Sequence, residues 1–227
     1  KNLLYKWAVG KSELPDIDKL PVRLVAFESL KGETDAKKVA KAVIDFNLPR
    51  ECVPTEALQS PEVWEALLQN MPATAMVRNL GKMTEVGLLK PLSGAVKLVV
   101  DRLGDEAWLK RSRVHPLALL VAQSIYAAGE GLRGKLTWKP VGAVHDALDA
   151  AFYKAFASVV PTGKRWLVAL DISGSMDSGY IAGTYLTPRD ASVALTLLIA
   201  NTEKTHHLVG FTSGMPGEWG GRNKSMH

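Results

Sequence analysis

Apolar residues recur at three- and four-residue spacing through the first 160 positions, the period of one helical face. The pattern predicts amphipathic helices over 16–30, 35–46, 61–71, 72–83, 93–103, 116–129 and 141–160. Thr34 before Asp35, and Ser60 before Pro61 and Glu62, read as helix starts, because a hydroxyl ahead of an acidic or proline first turn satisfies free amides. Pro72 and Pro116 stand where helices begin, and Gly32, Gly81, Gly104 and Gly129 stand where they stop. Short helices with short connections predict helical pairs stacked side by side, although no repeat of fixed period is visible.

The pattern changes near residue 160. "RWLVALD" (165–171) is a continuous apolar run bounded by "PTGK" and a polar loop, which predicts a strand covered on both faces. "TPRDASVALTLLIANTEK" (187–204) predicts a helix with Thr187 as its cap and Pro188 in first position. "HHLVGFTSG" predicts a second strand ended by glycine, completing a β-α-β unit.

Such a unit places Asp171 at the carboxyl end of a parallel strand, the edge where ligands bind. In Asp171-Ile-Ser173-Gly-Ser175 the alternate spacing lets one carboxylate and two hydroxyls turn toward one point, a donor set for Mg²⁺ or another divalent cation. The same residues also serve as helix caps and partners for loop amides, and both readings stand at this level. Enzymatic readings fare worse. An aspartyl phosphotransferase calls for a carboxylate where Ser173 stands, and neither serine sits in a hydrolase elbow. Zinc-protease, phosphate-loop and dinucleotide signatures are missing from the sequence. His206 and His207 are adjacent on a strand and point to opposite faces.

Composition narrows the class. Apolar residues make up 47% of the 227 and charged residues 22%, near the averages of globular proteins. No apolar run reaches the ~18 residues that span a bilayer, and "KNLLYKWAVGKSELP" has no cleavage pattern, so no membrane segment or signal peptide is expected. The single cysteine, Cys52, favours a reducing cytoplasm and excludes a cysteine metal cluster. The net charge of +5 is unevenly spread: residues 78–165 carry 14 Lys or Arg against 7 Asp or Glu. Lys110, Arg111, Arg113 and His115 stand at a helix end facing Pro116. Arg133, Lys135 and Lys139 surround glycines that allow close approach to phosphates, with Trp138 beside them to stack on a base. Arg78 and Lys82, one turn apart, add to this set. A solvated basic face with Trp138 packed in the core is the competing reading.

The blocks "PEVWEALLQNMPATAMVRNLGKM", "RVHPLALLVA", "GLRGKLTWKP", "ALDAAFYKAF" and "PTGKRWLVALDISGSM" occur in an order and spacing that resemble the Ro autoantigen (TROVE-domain) family, from about Leu48 to Met215. The resemblance implies a mainly α fold of HEAT-like helical pairs over residues 1–160. The beginning of an α/β, Rossmann-like von Willebrand factor A domain follows over 161–227. It implies a ring that binds Y RNAs on its outside and single-stranded 3′ ends of misfolded small RNAs through its hole. Asp171, Ser173 and Ser175 resemble the first element of that domain's metal-ion-dependent adhesion site. The family's later threonine and aspartate ligands come from segments further on, so the site is expected to be incomplete in this chain, as are the early repeats. The tail "MPGEWGGRNKSMH" does not resemble the family.

The expectation is therefore an RNA-binding scaffold of the cytoplasm without catalytic activity. It carries its RNA on Arg78, Lys82, Lys110, Arg111, Arg113, His115, Arg133, Lys135 and Lys139, and its A domain meets an exoribonuclease or another protein. The alternative is a metal-dependent protein-binding module of the von Willebrand factor A type.

Overall fold

The structure is a computed structural model that describes residues 5–7, 9 and 20–212. The chain divides into two compact units at Lys97/Leu98.

In the first unit, α1 (Val22–Ser29) starts after Pro21, and the part of the expected helix before residue 20 lies outside the described residues. α2 (Ala36–Phe46) is capped by Asp35, whose carboxylate accepts from the Lys37 amide at 2.9 Å. The expected cap at Thr34 is thus displaced by one residue. The Glu33 carboxylate takes the amides of both Thr34 and Asp35, leaving Asp35 as the last extended residue before the helix. Asn47 closes α2 in the left-handed region (φ 48°), where asparagine is tolerated. α3 (Pro61–Asn70) begins as its sequence predicts, with Ser60 Oγ accepting from the Glu62 amide at 3.2 Å and proline in the first position. α2 packs on α3, burying Val39, Val43, Val63, Trp64, Leu67 and Leu68.

α4 (Ala73–Glu85) runs through Gly81, so that glycine is not a stop. The apolar spacing Met76, Leu80, Met83 continues across it, and all three are buried. Gly87, at φ +81°, provides the left-handed exit instead.

α5 (Gly94–Gly104) crosses the Lys97/Leu98 division, and in the second unit α6 (Glu106–Ser112) is capped by Asp105 through the Trp108 amide at 3.0 Å. α7 (Pro116–Ala128) and α8 (Gly142–Lys154) pack together around Leu119, Tyr126, Val144 and Leu148. The helix expected to reach residue 160 tightens after Lys154 into a 3₁₀ turn over Ala155–Ser158. β1 (Arg165–Asp171), a 3₁₀ turn over Gly174–Asp177, α9 (Pro188–Thr202) and β2 (Thr205–Phe211) then form the β-α-β unit. The strands are parallel, in register from Arg165 opposite Thr205 to Asp171 opposite Phe211. Thr187 and Asp190 make a reciprocal capping box at the start of α9, as the Thr-Pro signature foretells. The glycine expected to end β2 lies outside the described residues.

β1 is not covered on both faces. Leu167 is 68% exposed, and Leu208, Val209 and Phe211 of β2 are also exposed. Among the described residues the sheet has two strands, and α9, which packs on both, leaves much of their apolar surface open.

A buried carboxylate locks the entrance to β1. Glu203, 6% exposed, accepts from the Thr162 amide at 2.7 Å, the Thr162 hydroxyl at 2.8 Å and the Gly163 amide at 3.1 Å. The Thr162 amide is the largest influence holding this carboxyl below its ordinary value of 4.5. Burial opposes it, and the Thr162 hydroxyl and the Gly163 amide add to it. A carboxyl lowered by folding stabilises the folded chain above its unfolded value. That contribution disappears as pH falls through the lower, folded value. Thermal unfolding from pH 7 downward is therefore expected to lose stability starting near 4.5, and Glu203→Gln is expected to flatten that limb while lowering stability at pH 7. A limb unchanged in Glu203→Gln would assign the acid sensitivity elsewhere.

Candidate functional site

At the carboxyl end of β1 the three oxygen-bearing side chains converge. Asp171 Oδ1 accepts from both the amide and the hydroxyl of Ser173, and the hydroxyls of Ser173 and Ser175 are 3.2 Å apart. The Ser173 hydroxyl, and then its amide, hold the Asp171 carboxyl below the usual carboxylate range. Arg189, near the start of α9, pairs with Asp177 at 2.9 Å and donates to the Ser173 carbonyl at 3.2 Å. This arginine is not among the residues the sequence pattern singles out. Its signal was the basic residue directly after the Thr-Pro helix start, since the first turn of that helix borders the strand end.

The loop thus offers one carboxylate and two neutral hydroxyls, with a guanidinium close by. Among the described residues no group of three or more His, Cys, Asp or Glu gathers anywhere. These donors fit part of a hard-cation shell, which takes six or more oxygens.

The basic residues lie in two settings. In the first unit both stand on α4: Arg78 is exposed, while Lys82 is engaged with Glu85 and with Gln59 Oε1, each at 2.7 Å. In the second unit, Lys110 and Arg111 form the last turn of α6, and Arg113 closes it with φ 52°. His115 is the cap of α7, its Nδ1 accepting from the Leu117 amide at 3.2 Å. In its neutral form this ring carries its proton on Nε2, a free donor. All four side chains are exposed, and none has an ion-pair partner among the described residues.

Arg133, Lys135 and Lys139 are likewise exposed, on and beside a hairpin between α7 and α8. Gly131 donates to the Leu136 carbonyl and Trp138 to the Gly129 carbonyl, each at 2.8 Å, and Glu130 pairs with Thr137. Trp138 is half-buried. Its ring stacks on Tyr126 at 6.1 Å between centroids, and its Nε1 donates to the Tyr126 carbonyl at 3.0 Å. The indole is therefore fixed by packing, the competing reading for this residue. Tyr126 in turn accepts from the Val141 amide at 3.2 Å, which ties the hairpin to the start of α8. Tyr185, from the segment before α9, donates to Glu130 at 3.0 Å, a link with no signal in the sequence.

A run of helices leads into a parallel β-α-β unit with an oxygen-bearing loop at its strand end, and family comparison assigns these parts to a TROVE domain and a von Willebrand factor A domain. The TROVE domain family matches residues 24–129 and the Ro60 vWA domain residues 165–218. The chain belongs to the Ro family of TROVE-domain proteins. It is 44% identical over 187 residues to the RNA-binding protein RO60 of Caenorhabditis elegans, covering 82% of this chain and 29% of that protein. It is 41% identical over 215 residues to the RNA-binding protein RO60 of Deinococcus radiodurans, covering 93% and 40%. The crystal structure of the Deinococcus radiodurans RO (RSR) protein matches with a TM-score of 0.83 at 40% identity, covering 92% of this chain and 42% of that one. The chain spans less than half the length of these relatives. No helix among the described residues is long and apolar enough to cross a membrane.

Proposed function

We propose that this chain binds single-stranded RNA through the basic surface between α6 and α8, without chemistry of its own. The observation that carries this is the run Lys110, Arg111, Arg113 and His115, exposed and unpaired among the described residues at one helix junction. Exposed cations that no internal carboxylate neutralises are the groups that replace counterions along a phosphate backbone. The relatives that carry the name RNA-binding protein support the reading. Its finer form is Y RNA-like or misfolded small non-coding RNAs, in RNA quality control or processing in the cytoplasm, with a partner protein such as an exoribonuclease at the A domain.

Arg111→Ala with Arg113→Ala is expected to weaken binding of a short single-stranded RNA at least tenfold. The slope of log affinity against log salt should become shallower by about 1.4, at roughly 0.7 per phosphate contact. Electrophoretic titration over a range of salt reads both. Arg113 is already a non-glycine residue at positive φ, so alanine adds no new class of strain. Unchanged affinity and slope would remove these residues from the site.

The convergence of Asp171, Ser173 and Ser175 favours a second reading, a divalent cation at the strand end that grips a partner's carboxylate. Binding that responds to chelator rather than to salt would favour it over phosphate contact.

A further inference from the structure

The first unit contains a cavity of about 260 Å³ that none of the RNA-binding candidates lines. Its apolar walls come from Leu48, Pro49, Leu67, Met71 and Pro72, and its polar groups are of three kinds. Two are guanidinium groups, Arg23 and Arg50. Three are carboxamides, Asn47, Asn70 and Asn79, and one is a carboxylate, Glu51.

The internal partners of these groups are few. Arg23 spends its Nε on the Phe46 carbonyl at 3.1 Å, and its terminal amino groups have no hydrogen-bond partner among the described residues. The Arg50 guanidinium lies 5.9 Å from the centre of the Trp64 ring and has no ion pair there. Asn79 donates to the Ala75 carbonyl at 2.8 Å, which fixes its amide and leaves its oxygen free to accept. The amides of Asn47 and Asn70 make no side-chain hydrogen bond among the described residues.

Each kind of group calls for a different part of one ligand. Apolar walls suit the faces of a planar ring, and carboxamides supply the paired donor and acceptor that reads an adenine edge. Guanidinium groups take a phosphate. A carboxylate accepts from ribose hydroxyls, as it does in dinucleotide sites. With two cations against one anion, the charge suits one phosphate better than a polyphosphate or a run of acidic side chains. The volume lies just below the ~300–1,000 Å³ of drug-sized ligand sites, the scale of one nucleotide rather than several.

We propose that this cavity binds a single adenosine monophosphate group, either as the free nucleotide or as one unpaired residue of an RNA. In that arrangement Arg23 and Arg50 hold the phosphate, Glu51 meets the ribose, and the three asparagines read the base. The site shares no residue with the RNA surface proposed above.

Calorimetric titration of the full 227-residue chain with AMP, GMP and inorganic phosphate tests the proposal. AMP is expected to bind at least tenfold more tightly than GMP or phosphate. Asn70→Ala and Arg50→Ala should each weaken AMP at least tenfold. Asn70 is exposed, so its variant is expected to melt with the parent chain. Arg111→Ala with Arg113→Ala should leave AMP affinity unchanged, which separates failure of this site from failure of the RNA surface. Competition between AMP and the octamers r(A)8 and r(U)8 identifies the source. Displacement by r(A)8 alone marks an adenylate carried in RNA, and displacement by neither marks the free nucleotide. No AMP binding at millimolar concentration, equal binding of AMP and GMP, or equal displacement by r(U)8 would overturn the proposal, as would AMP affinity indifferent to Asn70→Ala.

Discussion

Trp64→Ala is expected to lower the unfolding free energy by ~3–5 kcal/mol, the range for emptying a fully buried aromatic site. Trp64 is 0% exposed and sits on α3 with Leu67, itself 5% exposed, in the layer that packs on α2. Its Nε1 also donates to the Leu58 carbonyl at 2.9 Å, so the indole anchors the 3₁₀ turn over Ala57–Gln59 as well as filling the core. Trp64→Phe separates the two roles. It keeps most of the apolar volume but strands a carbonyl, a loss of about 1–3 kcal/mol where a buried acceptor is left unsatisfied. Denaturant titration of both variants checks the pair, and a loss below about 1 kcal/mol for alanine would mean the core closes over the vacancy.

Gly129→Ala is expected to be the most damaging single change near the basic surface, at ~2–4 kcal/mol with a matching loss of RNA affinity. Gly129 holds φ +73°, where an L side chain costs roughly 1–2 kcal/mol by itself. A Cβ there would also stand 2.8 Å from the Trp138 backbone oxygen, a partner that cannot swing aside. The hairpin carrying Arg133 and Lys135 is closed by the Trp138–Gly129 hydrogen bond, so the added carbon forces its strands apart. Gly129→Asn relieves the torsional part only and should remain destabilised. Exchange of the Gly131 and Trp138 amides, measured beside the melting temperature, would show whether the damage is confined to the hairpin; protection equal to the parent chain would refute it.

How much of this was legible beforehand depends on how local each cause is. Ser60-Pro61 and Thr187-Pro188 mark their helices because cap and first turn are neighbours in sequence, and both starts are observed. The convergence of Asp171, Ser173 and Ser175 was legible for the same reason, being settled within five residues. Gly81 misleads because a glycine's position says nothing of whether the apolar stripe continues past it, and here Met83 keeps the helix going. The exposure of β1 was hidden because an apolar run reports what a strand can bury and not what stands beside it. Lys82 reads as free until Gln59, 23 residues away, is brought to it. Glu203 and Tyr185 owe their roles to contacts 41 and 55 residues distant, and no local pattern announces them.

The carboxylates around the strand-end loop have a consequence for how a ligand would enter it. Asp171 is engaged by Ser173, Asp177 by Arg189, and Asp190 by Thr187. Only Oδ1 of the Asp171 carboxylate is engaged among the described residues, so a bond to that oxygen or to the Ser173 hydroxyl competes with one already formed, while Oδ2 remains open to accept. A ligand that took Oδ1 or the Ser173 hydroxyl would exchange partners rather than add one. A substitution at Arg189, which holds the Ser173 carbonyl, would bear on that exchange without supplying or removing a single ligand.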